Sequence, residues 1–498
     1  MLYRFLRAIP RLALLPAVLL TAAAAAQTAP VKREDVKDWQ AALRADASAF
    51  HDAILDSHPG PFDSENPGFG KTLERAYALA LSRAKPGIGY REYYWAMTEF
   101  ANAFDDGHLG VGDRGPGYKW DFIWPGFAVA YRGGAYVVAH SEGGAGMPAV
   151  GAVLEKCDGK RAAALAEEKL APLVGRWSLT STRERTAPRL FLRSDNPFRA
   201  PVRRCTFLQD GKRIAVKPDW QPIDSARRSK LIVAITGARA NAGIGMEPLG
   251  AKGYAFNLGS FDTDPEADTT KALTALVAQT NARGDAVAEA DLLLFDLRGN
   301  DGGSSGWMLQ IAQAIWGKRY TDAKAEDGSY PDYRISDANI ANYRGAYEDA
   351  KARGDAYATE WLARVVAAME GAKAAGRPFW SARNPDAGPL PDAGPNRVKA
   401  RVFVFTDSFC ASACLDAVDL LTALGAIQVG QETSADTLYM DIRDQDLPSG
   451  VLRAWIPTKV YRGRARGSNM PATPLHRWTG SLEDTAGIRA WVAGLPAR

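Results

Sequence analysis

Residues 402–421, VFVFTDSFCASACLDAVDLL, constrain the fold more than any other stretch. An apolar run passes into small residues and then into apolar spacings of three and four, so a buried strand turns abruptly into a helix. Ser412 sits at that change, where a hydroxyl is presented beside the unpaired N–H groups of a helix start. A lone serine at such a turn serves structure more often than chemistry, so a catalytic reading needs support from elsewhere in the chain.

Two other segments supply it. Residues 292–306, LLLFDLRGNDGGSSG, read as a buried strand running into a glycine-rich turn, and residues 105–111, DDGHLGV, place His108 in a tight polar turn. The glycines at 299, 302 and 303 let backbone N–H groups converge on a small anionic centre. Phosphate binding is one use of such a turn, although the Lys-Ser or Lys-Thr of a P-loop does not follow it. An oxyanion hole is the other, useful only if a nucleophile approaches the same point. Ser412 is that nucleophile if a base reaches it, and among five histidines His108 has the most suggestive setting. His58 reads as a helix-end or packing residue, and His140 as part of a strand.

The N-terminus has the pattern of an export signal. Arg4, Arg7 and Arg11 precede an apolar stretch at residues 12–20 and an alanine run ending at Ala26, so residues 1–26 read as a signal peptide. A retained anchor is the competing reading, disfavoured by the short stretch and by Pro16. Removing the three arginines lowers the formal charge from +4 to +1, which gives little warrant for a nucleic-acid partner. Export to the periplasm or exterior permits disulfides. Of the four cysteines, Cys157 and Cys205 form the preferred bridge, while Cys410 and Cys414, flanking Ser412, either bridge locally or remain small buried side chains. A metal site is disfavoured, because CASAC lacks a nearby histidine or a second cysteine pair.

Taken in order, residues 35–120 read as an N-terminal helical cap and residues 121–235 as a β-rich module with turns at Asp158-Gly159 and Asp210-Gly211. Residues 236–498 read as alternating strands and helices, with a helical insertion over about 320–390.

At this point the chain resembles the S41 family of serine peptidases, the tail-specific and tricorn-like group. The motifs HPGP, DGHLGV, VLEKCDGK, DLRGNDGG, TDSFCASAC, LPSGVLRAWIP and SNMPATP occur in the family's order over most of the chain after the signal. The resemblance implies an α/β fold with a ClpP/crotonase-like catalytic core, an N-terminal helical region and a divergent PDZ-like module. It implies that Ser412 is the nucleophile, His108 the base, and the amides of Gly302 and Ala413 the oxyanion donors, with Gly303 a neighbouring alternative.

Two departures matter. The segment VGQETSADT, residues 429–437, holds no lysine, which favours a Ser-His arrangement over a Ser-Lys dyad. Ser468 stands where the tricorn-like branch has a glutamate, so the group orienting His108 is open among Asp105, Asp106, Glu432, Asp436 and Ser468. The expectation is an exported serine peptidase acting on polypeptides without a cofactor or a stable membrane span. A peptide-binding envelope protein with weak or no turnover and an esterase using the same site are its alternatives.

Overall fold

The computed structural model describes residues 30–237, 240–383 and 392–496, so the expected signal peptide lies outside the described residues. Three helices, Trp39–Ser57, Phe69–Arg83 and Tyr90–Asn102, open the described chain. The Asp38 carboxylate caps the first by accepting the Ala41 N–H at 2.9 Å. Their apolar stripes, including Leu43, Phe50, Ile54, Leu73 and Phe100, pack against Leu452, Ile456 and Val460 of the long strand Leu452–Arg462. That strand pairs antiparallel with Gly110–Asp113, Tyr330–Arg334 and Tyr439–Asp446. Buried Asp46 pins the helices to the sheet by accepting the Ser449 N–H at 2.7 Å and the Ser449 hydroxyl at 2.6 Å.

A second antiparallel sheet runs through Phe127–Arg132, Ala135–Ser141, Val153–Cys157, Cys205–Gln209 and Lys212–Val216, with the helix Ala162–Val174 against it. Asp158-Gly159 and Asp210-Gly211 both adopt positive φ at the two turn positions, the geometry that matches the twist of a two-residue hairpin. Cys157 faces Cys205 across paired strands and the two form a disulfide; Cys410 and Cys414 form the other.

The sheet that carries the Ser412 turn runs Ile244–Pro248, Gly253–Leu258, Leu292–Asp296, Arg401–Thr406, Ile427–Gly430 and His476–Arg477. Its first pair is antiparallel and the rest are parallel. Helices Asp268–Ala288, Gly306–Trp316 and Ala413–Ala423 bury one face around Phe256, Phe295, Ile311 and Leu421, and Thr485–Ala493 covers the other. Burial on both faces is why LLLF and VFVF are continuous apolar runs rather than alternating ones.

This architecture corrects the expected ClpP/crotonase-like α/β core. The α/β sheet is one of four sheets among the described residues. The longest C-terminal strand, Leu452–Arg462, joins the antiparallel sheet under the N-terminal helices instead of extending the α/β sheet. Strand periodicity is a local property, whereas the pairing partner is set by which apolar face each strand must cover.

Candidate active site

Ser412 lies immediately before the helix Ala413–Ala423, with φ 53° and ψ −126°. A non-glycine residue in that region costs on the order of 1–3 kcal/mol and persists only where its surroundings dictate it. The constraint comes from several sides. The Cys410–Cys414 disulfide closes the turn around Ser412, the buried Asp436 carboxylate accepts the Ser412 N–H at 2.5 Å, and the Leu415 N–H donates to the Ser412 carbonyl at 2.8 Å. The side chain itself makes no capping bond to the helix, so the hydroxyl is left to other uses.

The glycine-rich turn packs directly on this serine. A methyl group placed on Gly302, at φ 114°, would come 2.7 Å from Ser412 Cβ, 3.0 Å from the Ala411 carbonyl and 3.3 Å from the Ala413 nitrogen. Asp407 ties the two turns together by accepting the Gly299 N–H and the Phe409 N–H, each at 2.9 Å. Its complete burial pushes that carboxyl up to about 6. Beneath the turn, buried Asp296 and Arg298 form an ion pair at 2.5 Å.

The Gly302 N–H donates to Asn300 Oδ1 at 2.9 Å, and Asn300 is itself anchored on the Leu258 carbonyl at 2.7 Å. This donor is therefore engaged internally. The Ala413 N–H belongs to the first turn of a helix, where the helix provides no acceptor and the macrodipole favours negative charge. A second helix, Gly306–Trp316, starts nearby: Ser305, its N-cap residue, donates to Asp416 Oδ2 in the first turn of the Ser412 helix at 2.6 Å.

The His108 turn reaches the same region through Arg176, which follows the helix Ala162–Val174. The position of a Cβ on Gly107 lies 2.9 Å from the Arg176 guanidinium. That guanidinium donates to the Ala435 carbonyl at 2.8 Å and lies 3.8 Å from Asp436 Oδ1, and the other Asp436 oxygen holds Ser412. Asn469 closes the arrangement with one bond to the Asp105 carbonyl and one to the Asp436 carbonyl. His108 and Ser412 are thus linked through a chain of contacts, but no hydrogen bond joins their side chains in this state. The buried Nδ1 of His108 has no hydrogen-bond partner among the described residues.

Of the groups considered for orienting His108, none hydrogen-bonds its ring. Asp106 Oδ1 accepts the His108 backbone N–H at 2.8 Å and the Thr437 hydroxyl at 3.0 Å. Asp105 accepts the Arg176 N–H, Asp436 holds Ser412, and Ser468 Oγ accepts the Leu438 N–H at 3.0 Å. Glu432 is half-buried and contributes a repulsive charge to Glu184.

His58, read from sequence as a packing residue, does pack, between Phe69 and Tyr439. It also accepts the Gly60 N–H on Nδ1 at 2.8 Å and points Nε2 at Asp106 Oδ2, 3.5 Å away. Burial pushes this imidazole below its ordinary range. Neither this pairing nor the use of Arg176 left a signal in the sequence, because both depend on segments that meet only in the folded chain.

A hollow of about 140 Å³ opens behind the His108 turn, lined by Asp106, Gly107, Val111, Arg176 and Trp455. The arrangement combines a hydroxyl at a strained elbow, a helix-start amide beside it, and an imidazole whose turn is bonded to the same scaffold. Such a set can attack a carbonyl carbon if the imidazole closes on the hydroxyl.

Among solved structures, mature CPAF in complex with lactacystin aligns with 91% of this chain and 98% of its own, at 13% identity and a TM-score of 0.56. The chain shares that fold. Mature CPAF alone gives the same TM-score at 12% identity, over 91% of this chain and 96% of that one. The likeness covers nine-tenths of this chain, so it is a likeness of the multi-sheet fold and not of the α/β sheet alone. The photosystem II D1 C-terminal processing protease aligns over 93% of this chain and 99% of its own at 15% identity, with a TM-score of only 0.32. No protein-family model matches the chain, and no curated protein matches it in sequence.

Proposed function

We propose that this protein is an exported serine peptidase, acting in the periplasm or outside the cell, that cleaves polypeptides through an acyl-enzyme. Ser412 Oγ attacks the scissile carbonyl carbon while His108 takes its proton. The Ala413 N–H and an amide of the Gly302-Gly303 pair receive the developing negative charge. His108 then returns the proton to the leaving amine and activates the water that releases the acyl group. No step calls for a cofactor.

The observation that carries this reading is the backbone of Ser412. A non-glycine residue held at φ 53° and ψ −126°, at a strand-to-helix turn with a glycine packed on its Cβ, matches the way a nucleophilic serine is presented. The ordered run of S41-like motifs and the fold shared with mature CPAF support it. The test is labelling with a serine-reactive fluorophosphonate. Ser412→Ala should fold and lose the label, His108→Ala should label far more slowly, and undiminished labelling of Ser412→Ala overturns the assignment.

The second reading, a peptide-binding protein with little turnover, is favoured by the internally bonded Gly302 N–H and the unpartnered His108 ring. Catalytic hydrogen bonds commonly tighten only with substrate bound, so the peptidase reading takes precedence. Saturable peptide binding with neither product nor acyl-enzyme would establish the second. Rapid hydrolysis of small esters with no cleavage of polypeptides would mark an esterase instead.

A further inference from the structure

Away from the Ser412 turn, a cavity of about 80 Å³ lies between the helix Tyr90–Asn102, the helix Ala162–Val174 and the segment after Arg189. Its polar lining is cationic. Lys169, Arg189, Arg193, Arg199 and Arg228 surround it together with Asn196, and no carboxylate lines it. Two of these five cations have acidic partners, Arg199 with Glu99, which Arg83 shares, and Lys169 with Glu168, which Lys160 shares, while nearby Asp195 pairs with Arg91. Arg189, exposed at the mouth, and Arg228 form no ion pair among the described residues. Arg228 donates from Nε to the Leu192 carbonyl at 3.0 Å and stacks its guanidinium over Phe122.

The unpaired atoms identify the missing partner. Asn196 is 6% exposed and spends Oδ1 on the Phe198 N–H, which leaves its Nδ2 buried without an acceptor. Arg193 Nε and Arg199 Nε are buried without acceptors as well. Three orphaned groups line one cavity, and all three are donors. Leaving such a group unsatisfied is costly, and more so when it is charged. Burial also pushes the Arg193 and Arg228 guanidinium groups down to about 10, the latter further through the charge of Arg189. An anion with acceptors on every side relieves both costs.

We infer that this cavity binds a tetrahedral oxyanion of the phosphate class, either the free ion or a phosphomonoester. The volume sets the class: it is well below the roughly 300–1,000 Å³ of a site for a drug-sized ligand. Guanidinium forks converging from several elements match a compact multivalent acceptor better than a planar, singly charged one.

The test is calorimetric titration of the full chain with inorganic phosphate at constant ionic strength. Acetate serves as the planar comparison and N-acetyl-O-phosphoserine amide as the monoester. Saturable binding of phosphate or of the monoester, at least tenfold tighter than acetate, is expected. The tighter of the two identifies whether the site takes the free ion or a phosphorylated group. Arg189→Gln, at the exposed mouth, should retain the parent melting temperature without phosphate and bind at least tenfold more weakly. Asn196→Asp, which puts a negative charge against the site, should abolish binding and serves if the first variant fails to fold. No saturable binding of either phosphate form, equal binding of acetate, or parent-like affinity in both variants overturns the inference.

Discussion

Gly302 packs against Ser412 so closely that a methyl group on the glycine would stand 2.7 Å from the serine Cβ. The two residues are 110 positions apart in sequence, yet the two turns pack directly on one another. Gly302→Ala adds both this overlap and an unfavourable φ. We expect a loss of about 1–3 kcal/mol in urea unfolding and a fall in fluorophosphonate labelling rate of about 10²-fold or more. A variant with parent stability and parent labelling would show that the contact does not constrain the serine.

The strain at Ser412 has its own signature. Glycine tolerates the observed dihedrals but loses more entropy on folding, so Ser412→Gly should gain roughly 1 kcal/mol while losing all labelling. Ser412→Ala keeps the strain and, with no capping bond to lose, should unfold at the parent urea midpoint. Equal midpoints for the two variants would remove the argument from backbone conformation.

If Ser412 is the nucleophile, the Asp436 contact to its amide predicts a positioning role for this carboxylate. It holds the Ser412 amide and faces Arg176. Asp436→Asn should lower kcat about 10- to 100-fold while KM stays within about twofold, the pattern expected when an interaction matters to the transition state rather than to substrate binding. A rise in KM at unchanged kcat would place Asp436 in the binding surface instead.

Asp407 gives a pH dependence with a definite sign. Its carboxyl is raised from 3.8 to about 6 in the folded chain, so the folded state holds this proton more tightly than the unfolded one. The stability it contributes is present below about pH 4 and is lost as pH rises through about 6, on the order of 2–3 kcal/mol. Urea unfolding at pH 4 and pH 7 should show this slope in the parent and not in Asp407→Asn, which cannot titrate. Identical slopes in the two proteins would assign the titration elsewhere.

The two disulfides should contribute unequally. Cys157–Cys205 closes a loop with a separation of 48 residues and Cys410–Cys414 one of 4. Loop-closure entropy assigns about 4 kcal/mol to the first and about 2 kcal/mol to the second. Paired alanine variants should reproduce that order in denaturant midpoints. Only the shorter bridge should affect labelling at Ser412, because only it encloses the serine.

Much of the local structure was legible in the residues. VFVF and LLLF carry the composition of strands covered on both faces, the two Asp-Gly pairs sit at tight turns, and Cys157 and Cys205 come opposite one another. The overall organisation was not legible in this way. Strand Leu452–Arg462 reads locally like any other strand, and only its apolar face, which covers the N-terminal helices, assigns it to the antiparallel sheet. The ClpP/crotonase-like expectation failed there.

The residues alone determined which atoms could do chemistry. A hydroxyl between small side chains, glycines able to adopt positive φ, and a histidine in a polar turn are properties of short segments, set by sterics and hydrogen bonding within a few residues. Tertiary structure decided how those atoms are held. It placed Gly302 on Ser412, turned the Asp436 carboxylate onto the serine amide, brought Arg176 across from the β-rich module, and engaged the Gly302 N–H with Asn300. Such contacts are settled by the packing of whole layers, where each apolar face must find cover and each buried donor an acceptor, and no short segment carries that information.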